Sequence, residues 1–195
     1  MIGKRQLAME AIHIEQDVLN EAVGSQDQVL AAHGGLNHIE FRASGQISVH
    51  PVILPAERVA ELNQHLMRFY TGIARTSSDV AATYVDRLDA RRHQMRIMKE
   101  LVGESLRLLA GGGEMQQFGR LLHEAWLVKR ELSPWVSTAE VDDIYDTARR
   151  AGAVGGKLTG AGGGGFLLLF VPPAQRTDVR AALARLIHVP FSFEG

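Results

Sequence analysis

Eight of the chain's twenty glycines fall between Gly152 and Gly165, flanked by two short apolar stretches, and this crowding constrains the fold more than any other feature. Glycine loses more backbone entropy on folding than any other residue. A run of it persists where main-chain N–H groups must come close to something that a Cβ would block. Consecutive free amides form a nest for an anion, and phosphate is the usual one. The run Gly155-Gly156-Lys157-Leu158-Thr159-Gly160-Ala161-Gly162-Gly163-Gly164-Gly165 matches neither G-x-G-x-x-G opening a helix nor G-x-x-x-x-G-K-[ST]. A hairpin tip without a ligand explains the glycines as well as a phosphate nest does, and the residues alone leave both open.

Composition removes several function classes. With 195 residues, 46% hydrophobic and 22% charged, the chain reads as a packed globule rather than a disordered one. Lys plus Arg number 21 against 22 Asp plus Glu, so no global basic field gathers nucleic acid or anionic lipid. The absence of cysteine excludes a disulfide framework, a thiolate nucleophile and an iron–sulfur cluster. Lys4 and Arg5 are followed by Glu10, His13 and Glu15 rather than an apolar core, which is not an export signal. The longest apolar run, Phe166 to Val171, is far short of the roughly 20 residues that span a bilayer. These features predict a soluble cytoplasmic protein that binds neither membrane nor nucleic acid.

Periodicity predicts the elements. A helix covers the first twenty residues and ends before Gly24, and a second runs from Gln26 to Ala32 and stops at Gly34-Gly35. Alternation from Leu36 to Val52, broken at Ser44-Gly45, predicts a hairpin. A short helix from Glu57, a strand in LMRFYTGI, one or two helices from Ser77 to Leu109 and another from Glu114 to Leu132 follow. Ser137-Thr138-Ala139-Glu140 spells a capping box for the next helix, which runs to Gly152. After it come a strand into Lys157, the glycine loop, the strand FLLLFV, a helix from Pro173 to Ile187 and a last strand, VPFSF. From residue 64 onward this order is a split β-α-β, so the fold class is α+β with a ferredoxin-like unit.

The residues GGKLTGAGGGG resemble the third motif of the GHMP small-molecule kinases, the superfamily of galactokinase, homoserine kinase, mevalonate kinase and phosphomevalonate kinase. A second match lies far away in sequence, where Gly24-Ser25-Gln26-Asp27-Gln28 is similar to the loop-to-helix start carrying the catalytic Asp of the galactokinase branch. AIHIEQDVL, GGLNHIEF, FYTGIARTSS and LHEAWLVKREL extend the likeness over nearly the whole chain, and the finer resemblance is to the heptose 7-phosphate kinase branch. The resemblance implies ATP-dependent phosphoryl transfer to a sugar or sugar phosphate, with ATP and Mg²⁺ as cofactors.

Residue by residue, the resemblance makes Asp27 the base and Glu15, twelve positions upstream, the Mg²⁺ ligand. Lys157, Thr159, Gly160, Ala161, Gly162, Gly163, Gly164 and Gly165 enclose the phosphates, while Gly24, Ser25, Gln26 and Asn37 line the acceptor pocket. Arg75 is the candidate cation for an acceptor that is already phosphorylated. An Asp in the first turn of a helix keeps its charge there and can accept a hydroxyl proton, although such an Asp is equally well a cap. Family members carry a Ser-rich P-x-x-x-G-L-x-S-S loop for ATP, and nothing here resembles it. The chain is therefore expected to be a C-terminal portion: residues 1–56 the remnant of an S5-like N-terminal domain, residues 57–195 the ferredoxin-like domain.

On that expectation, activity of the chain alone is weak or absent unless a partner chain or a homodimer completes the site. Two alternatives stand beside the kinase. One is a binding remnant, or half of a split kinase, that holds sugar phosphate without turning it over. The other is RNA recognition through Phe166 and Phe170, against which the near-neutral charge and the 6% aromatic content speak.

Overall fold

The computed structural model describes residues 2–74 and 77–193. It opens with helix α1 (Lys4–His13), which runs into a single widened π-helical turn, Ile14–Val18. The sequence predicted one continuous helix here. Ile14, Val18 and Leu19 all remain exposed, so beyond His13 no apolar partner rewards a regular continuation. Helix α2 (Gln26–His33) follows and ends at two left-handed glycines, Gly34 (φ +66°) and Gly35 (φ +69°). The hairpin β1 (Asn37–Phe41) and β2 (Ile47–Pro51) pairs antiparallel in the register Asn37↔Pro51 to Phe41↔Ile47. A small core of Ala8, Ile12 and Val29, with Ile39, Ile47 and Val49 packed on it, joins the two helices to the hairpin.

Helix α3 (Ala56–His65) leads into β3 (Leu66–Tyr70). The predicted long helical stretch divides into α4 (Ser77–Ala82), a 3₁₀ segment (Val85–Arg91) and α5 (Arg92–Gly111), which ends at left-handed Gly112. Helices α6 (Met115–Arg130) and α7 (Ala139–Arg150) precede β4 (Gly155–Leu158) and β5 (Phe166–Phe170). Helix α8 (Arg176–Ala182) and a two-residue β6 (Ile187–His188) complete the chain. The second sheet is antiparallel throughout, in the order β4-β5-β3-β6.

Three boundaries differ from expectation. The α7 cap is Thr138, whose side chain accepts from Val141 N, while Ser137 Oγ donates to Asp142 at 2.7 Å instead of capping. The helix predicted from Pro173 to Ile187 is shortened to α8, preceded by a 3₁₀ turn. The last strand is Ile187–His188 rather than the predicted VPFSF, because Pro190 has no N–H to extend the ladder beyond the bond from Val189 N to Arg68 O.

The two faces of this sheet do different work. Partners in register share a face. Met67, Phe69, Leu158, Leu167 and Leu169 therefore point together into the main core, against Trp126, Val141, Ile144, Tyr145 and Val179. Burial of each large side chain there contributes about 1.5–3 kcal/mol. Leu66, Leu168 and Phe170 point the other way, onto Leu62, Leu109, Met115 and Phe118. Lys157 pairs with Leu168 and so belongs to this second face. Phe170 is fully buried, whereas Phe166 packs on Tyr70 and beneath the Arg68 guanidinium.

Helix α6 lies directly against β4. A Cβ at Gly155 would land on the carbonyl oxygen of Gly119, so Gly155 must be bare for the helix and strand to touch, and a Cβ at Gly119 would run into the Phe170 ring on β5. This contact, which also reaches His123 N, sets how closely the first half of α6 approaches β4.

Candidate functional site

Asp27 is the second residue of α2, where the helix N-terminus favours a carboxylate. It is exposed, and it looks across a cavity of about 620 Å³ toward the start of the glycine loop. The cavity is lined by Glu15 and Glu21 from the N-terminal segment, by Gly24, Gln26 and Asp27, by Tyr84 and Met98, and by Lys129, Lys157, Gly160 and Ala161. A Cβ on Gly160 would stand 3.9 Å from Asp27 Oδ2.

The structure thus brings together Glu15, Gly24, Gln26, Asp27, Lys157, Gly160 and Ala161 of the residues singled out from the sequence. Others lie elsewhere. Ser25 Oγ accepts from Gln16 Nε2 at 3.2 Å, which steadies the turn into α2. Thr159 Oγ1 donates to Phe166 O at 3.2 Å. Asn37 Nδ2 donates to Gly34 O at 2.6 Å, and the residue lines a neighbouring cavity of about 340 Å³ that shares Gln26, Met98 and Lys157 with the first. Arg75 lies outside the described residues.

The far half of the glycine loop is committed to the protein itself. Gly163 N donates to Val136 O at 2.8 Å and Gly165 N to Ile73 O at 3.0 Å, so these two amides are not free for an anion. At Gly162 (φ +122°) a Cβ would stand 2.5 Å from Val136 O. Packing thus explains part of the glycine content, and Gly160 and Ala161 are the loop residues facing the cavity.

Sequence reasoning missed Lys129 and Gln28. Lys129, half-buried in the last turn of α6, donates to Gly160 O. Burial lowers its ammonium to about 7, and the charge of Lys157 pushes the same way, while Asp27 opposes both. Burial also lowers Lys157, again opposed by Asp27. The signal was present: Lys129 continues the stripe Leu122-Ala125-Trp126 at helical spacing, and a lysine on an inward stripe needs a partner. Gln28 is buried, with its Nε2 donating to Glu15 Oε2, while among the described residues its Oε1 has no hydrogen-bond partner. Such an orphaned acceptor costs about 1–3 kcal/mol. It lines the Asp27 cavity.

Away from this cavity, His123 Nδ1 and Tyr145 Oη are 2.7 Å apart; burial lowers the imidazole and raises the phenol to about 12. Among the described residues no group of three or more His, Cys, Asp or Glu side chains could hold a metal ion, and no helix is long and apolar enough to cross a membrane.

A glycine loop that closes on a helix-borne aspartate and two lysines, beside an antiparallel sheet, is an arrangement suited to moving a charged group onto a hydroxyl. Residues 97–188 match the family of GHMP kinases at its C-terminal part. Over 186 residues the chain is 27% identical to the D-glycero-alpha-D-manno-heptose 7-phosphate kinase of Campylobacter jejuni, covering 94% of this chain and 55% of that protein. A D-glycero-D-manno-heptose 1-phosphate kinase from Bacteroides thetaiotaomicron superposes with a TM-score of 0.74 at 26% identity, over 98% of this chain and 53% of the other. The mevalonate kinase of Methanococcus jannaschii shares the fold at TM-score 0.76 and 17% identity, over 100% of this chain and 58% of the other. Residues 97–188 thus carry the C-terminal part of the GHMP kinases that the glycine run implied, and the chain spans about half the length of the relatives it matches.

Proposed function

We propose that this chain carries the acceptor side of an ATP-dependent phosphoryl transfer to a sugar or sugar phosphate, with heptose 7-phosphate as the acceptor and Asp27 as the base. The single observation behind this reading is the shared cavity in which Asp27 faces Gly160, Lys129 and Lys157. In the reaction the acceptor oxygen bonds to the γ-phosphorus of ATP. The bond from that phosphorus to the β–γ bridging oxygen breaks, its electron pair leaves with ADP, and the hydroxyl proton passes to Asp27. Alignment and charge neutralisation supply most of the acceleration in such transfers, so the position of Asp27 matters more than its basicity.

Glu15 and Gln28 suit a hydrated Mg²⁺. The cation takes one or two carboxylates, keeps several waters and receives its other oxygens from phosphate. Glu15 supplies one carboxylate, and the unpartnered Oε1 of Gln28 supplies an acceptor for a metal-bound water or a sugar hydroxyl. Bound there, the ion would neutralise charge developing on the phosphates. The sheet order β4-β5-β3-β6 supports reading residues 57–195 as a ferredoxin-like unit, and on the same reading residues 1–56, with their separate hairpin, are a piece of an S5-like domain. On this reading the chain works in the cytoplasm, completed by a partner chain or a second copy.

The test is ADP release with heptose 7-phosphate, Mg²⁺ and ATP, monitored by a coupled assay. In a preparation where a chain bearing the ATP-binding part is supplied, acceptor-dependent release supports the reading, and its absence with both heptose 7-phosphate and galactose overturns it. The engaged amides of Gly163 and Gly165 favour a second reading, a module that binds sugar phosphate without turnover. Calorimetry with heptose 7-phosphate, with and without Mg·ATP, separates the two, since the binding module takes the sugar phosphate alone.

A further inference from the structure

The cavity beside Asp27 holds two amines from different elements: Lys129 at the end of α6 and Lys157 in β4. Taking an ammonium group out of water costs several kcal/mol unless charge and hydrogen bonds compensate it. Asp27 is the carboxylate whose charge reaches both lysines, and Glu15 and Glu21 line the same cavity. Three carboxylates line the cavity with the two amines, yet among the described residues neither lysine forms an ion pair with any of them. Lys129 instead holds a neutral acceptor, the carbonyl of Gly160. A main-chain carbonyl is a weaker partner than an ionised oxygen.

We propose that Lys129 is a phosphoryl-holding residue: with Lys157 it clamps the transferred phosphoryl group beside Asp27, and the Gly160 carbonyl occupies the place that a phosphoryl oxygen takes. The assignment rests on the kinase reading of the same cavity and adds to it a cation from α6. The chemistry suits the geometry. A tetrahedral phosphoryl group presents several strong acceptors, and lysine serves phosphate as a mobile point charge. Without cations between them, the carboxylate of Asp27 and an incoming phosphoryl group would repel each other. Two amines facing both groups hold them within reaction distance. Release of Gly160 from Lys129 would then free the near half of the glycine loop to follow the phosphoryl group, while Gly163 and Gly165 stay bonded to Val136 and Ile73.

Inorganic pyrophosphate, titrated calorimetrically into the full chain at pH 7 and low salt, tests this assignment. Lys129→Met is expected to weaken binding by about ten-fold or more, the loss of one charged hydrogen bond. Lys129→Arg, which keeps the charge, restores it to within about three-fold of wild type, and Asp27→Asn, which removes a like charge, strengthens it. No heat from the wild-type chain at millimolar pyrophosphate, or Lys129→Met binding as wild type does, overturns the assignment. So does equal loss in Lys129→Met and Lys129→Arg with lowered melting temperatures, which marks a structural tether. Failure of the kinase reading looks different: pyrophosphate binding keeps its Lys129 dependence while no acceptor-dependent ADP release is found.

Discussion

The two ends of the molecule are built to different standards. The segment from α1 to β2 buries Ala8, Ile12 and Val29 and leaves Leu7, Ile14, Val18, Leu19 and Phe41 in solvent. The part from α3 onward packs Trp126, Tyr145, Phe69 and Phe170 to 2% exposure or less. Asp27 and Glu15 stand on the lightly packed side, whereas Lys129, Lys157 and the glycine loop stand on the dense side. The candidate site therefore joins two regions of unequal local stability. A carboxylate on the looser region approaches cations that the dense core holds still. Local opening free energies track buried apolar contact, so the Asp27 side is expected to open first.

The largest effect expected from perturbing this pairing is chemical. In a preparation with acceptor-dependent activity, Asp27→Asn should lower turnover by roughly 10² to 10⁴ while leaving the melting temperature near wild type. Unchanged turnover would remove Asp27 as the base and leave the contrast between the regions with no role in catalysis. Next come the cores. Leu169→Ala, in the dense region, should cost about 2–5 kcal/mol in denaturant unfolding, against about 0.5–1.5 for Ile12→Val in the loose one. Biphasic unfolding in which Ile12→Val shifts the first phase alone would sharpen the contrast, and equal shifts in one cooperative transition would break it. Loss of the α7 cap by Thr138→Ala should cost about 1 kcal/mol, read as a lowered denaturant midpoint.

A further effect is on pH dependence. Lys129 titrates near 7 in the folded chain and near 10.5 when unfolded, so between those values the unfolded state binds more protons and stability rises with pH. Burial lowers Lys157 in the same direction, whereas the raised phenol of Tyr145 takes stability away above about 10. Denaturant midpoints should climb gently from pH 7 to 9, and Lys129→Met should flatten that climb. An unchanged slope in Lys129→Met would show that the α6 amine is not buried as the structure has it.

Much of this was legible in the sequence because it rests on local rules. The hairpin from Asn37 to Pro51, the glycine stop after His33 and the strands on either side of the glycine run follow from alternation and from residues that tolerate positive φ. Both ends of the site, Asp27 and Gly160, were found through motif likeness. What escaped depends on contacts between distant residues. The π turn after His13 reflects a missing packing partner for Ile14 and Val18, and Ser137 lost the cap to Thr138 because Asp142 engages its hydroxyl. Lys129 was hidden for the same reason, since its partner Gly160 lies 31 residues away and only the folded chain joins them. Nothing local announces that Val136 and Ile73 engage the amides of Gly163 and Gly165, so the residues alone leave the nest and the ligand-free tip open.

The bare contact between Gly119 and Gly155 makes α6 and β4 behave as one solid piece, with an amine fastened to each member. The approach of helix to strand is consequently gauged by main-chain atoms, and a single added methyl at Gly155 would force the two apart. In that sense the least decorated residues of the chain set the calibre of the joint from which both amines hang.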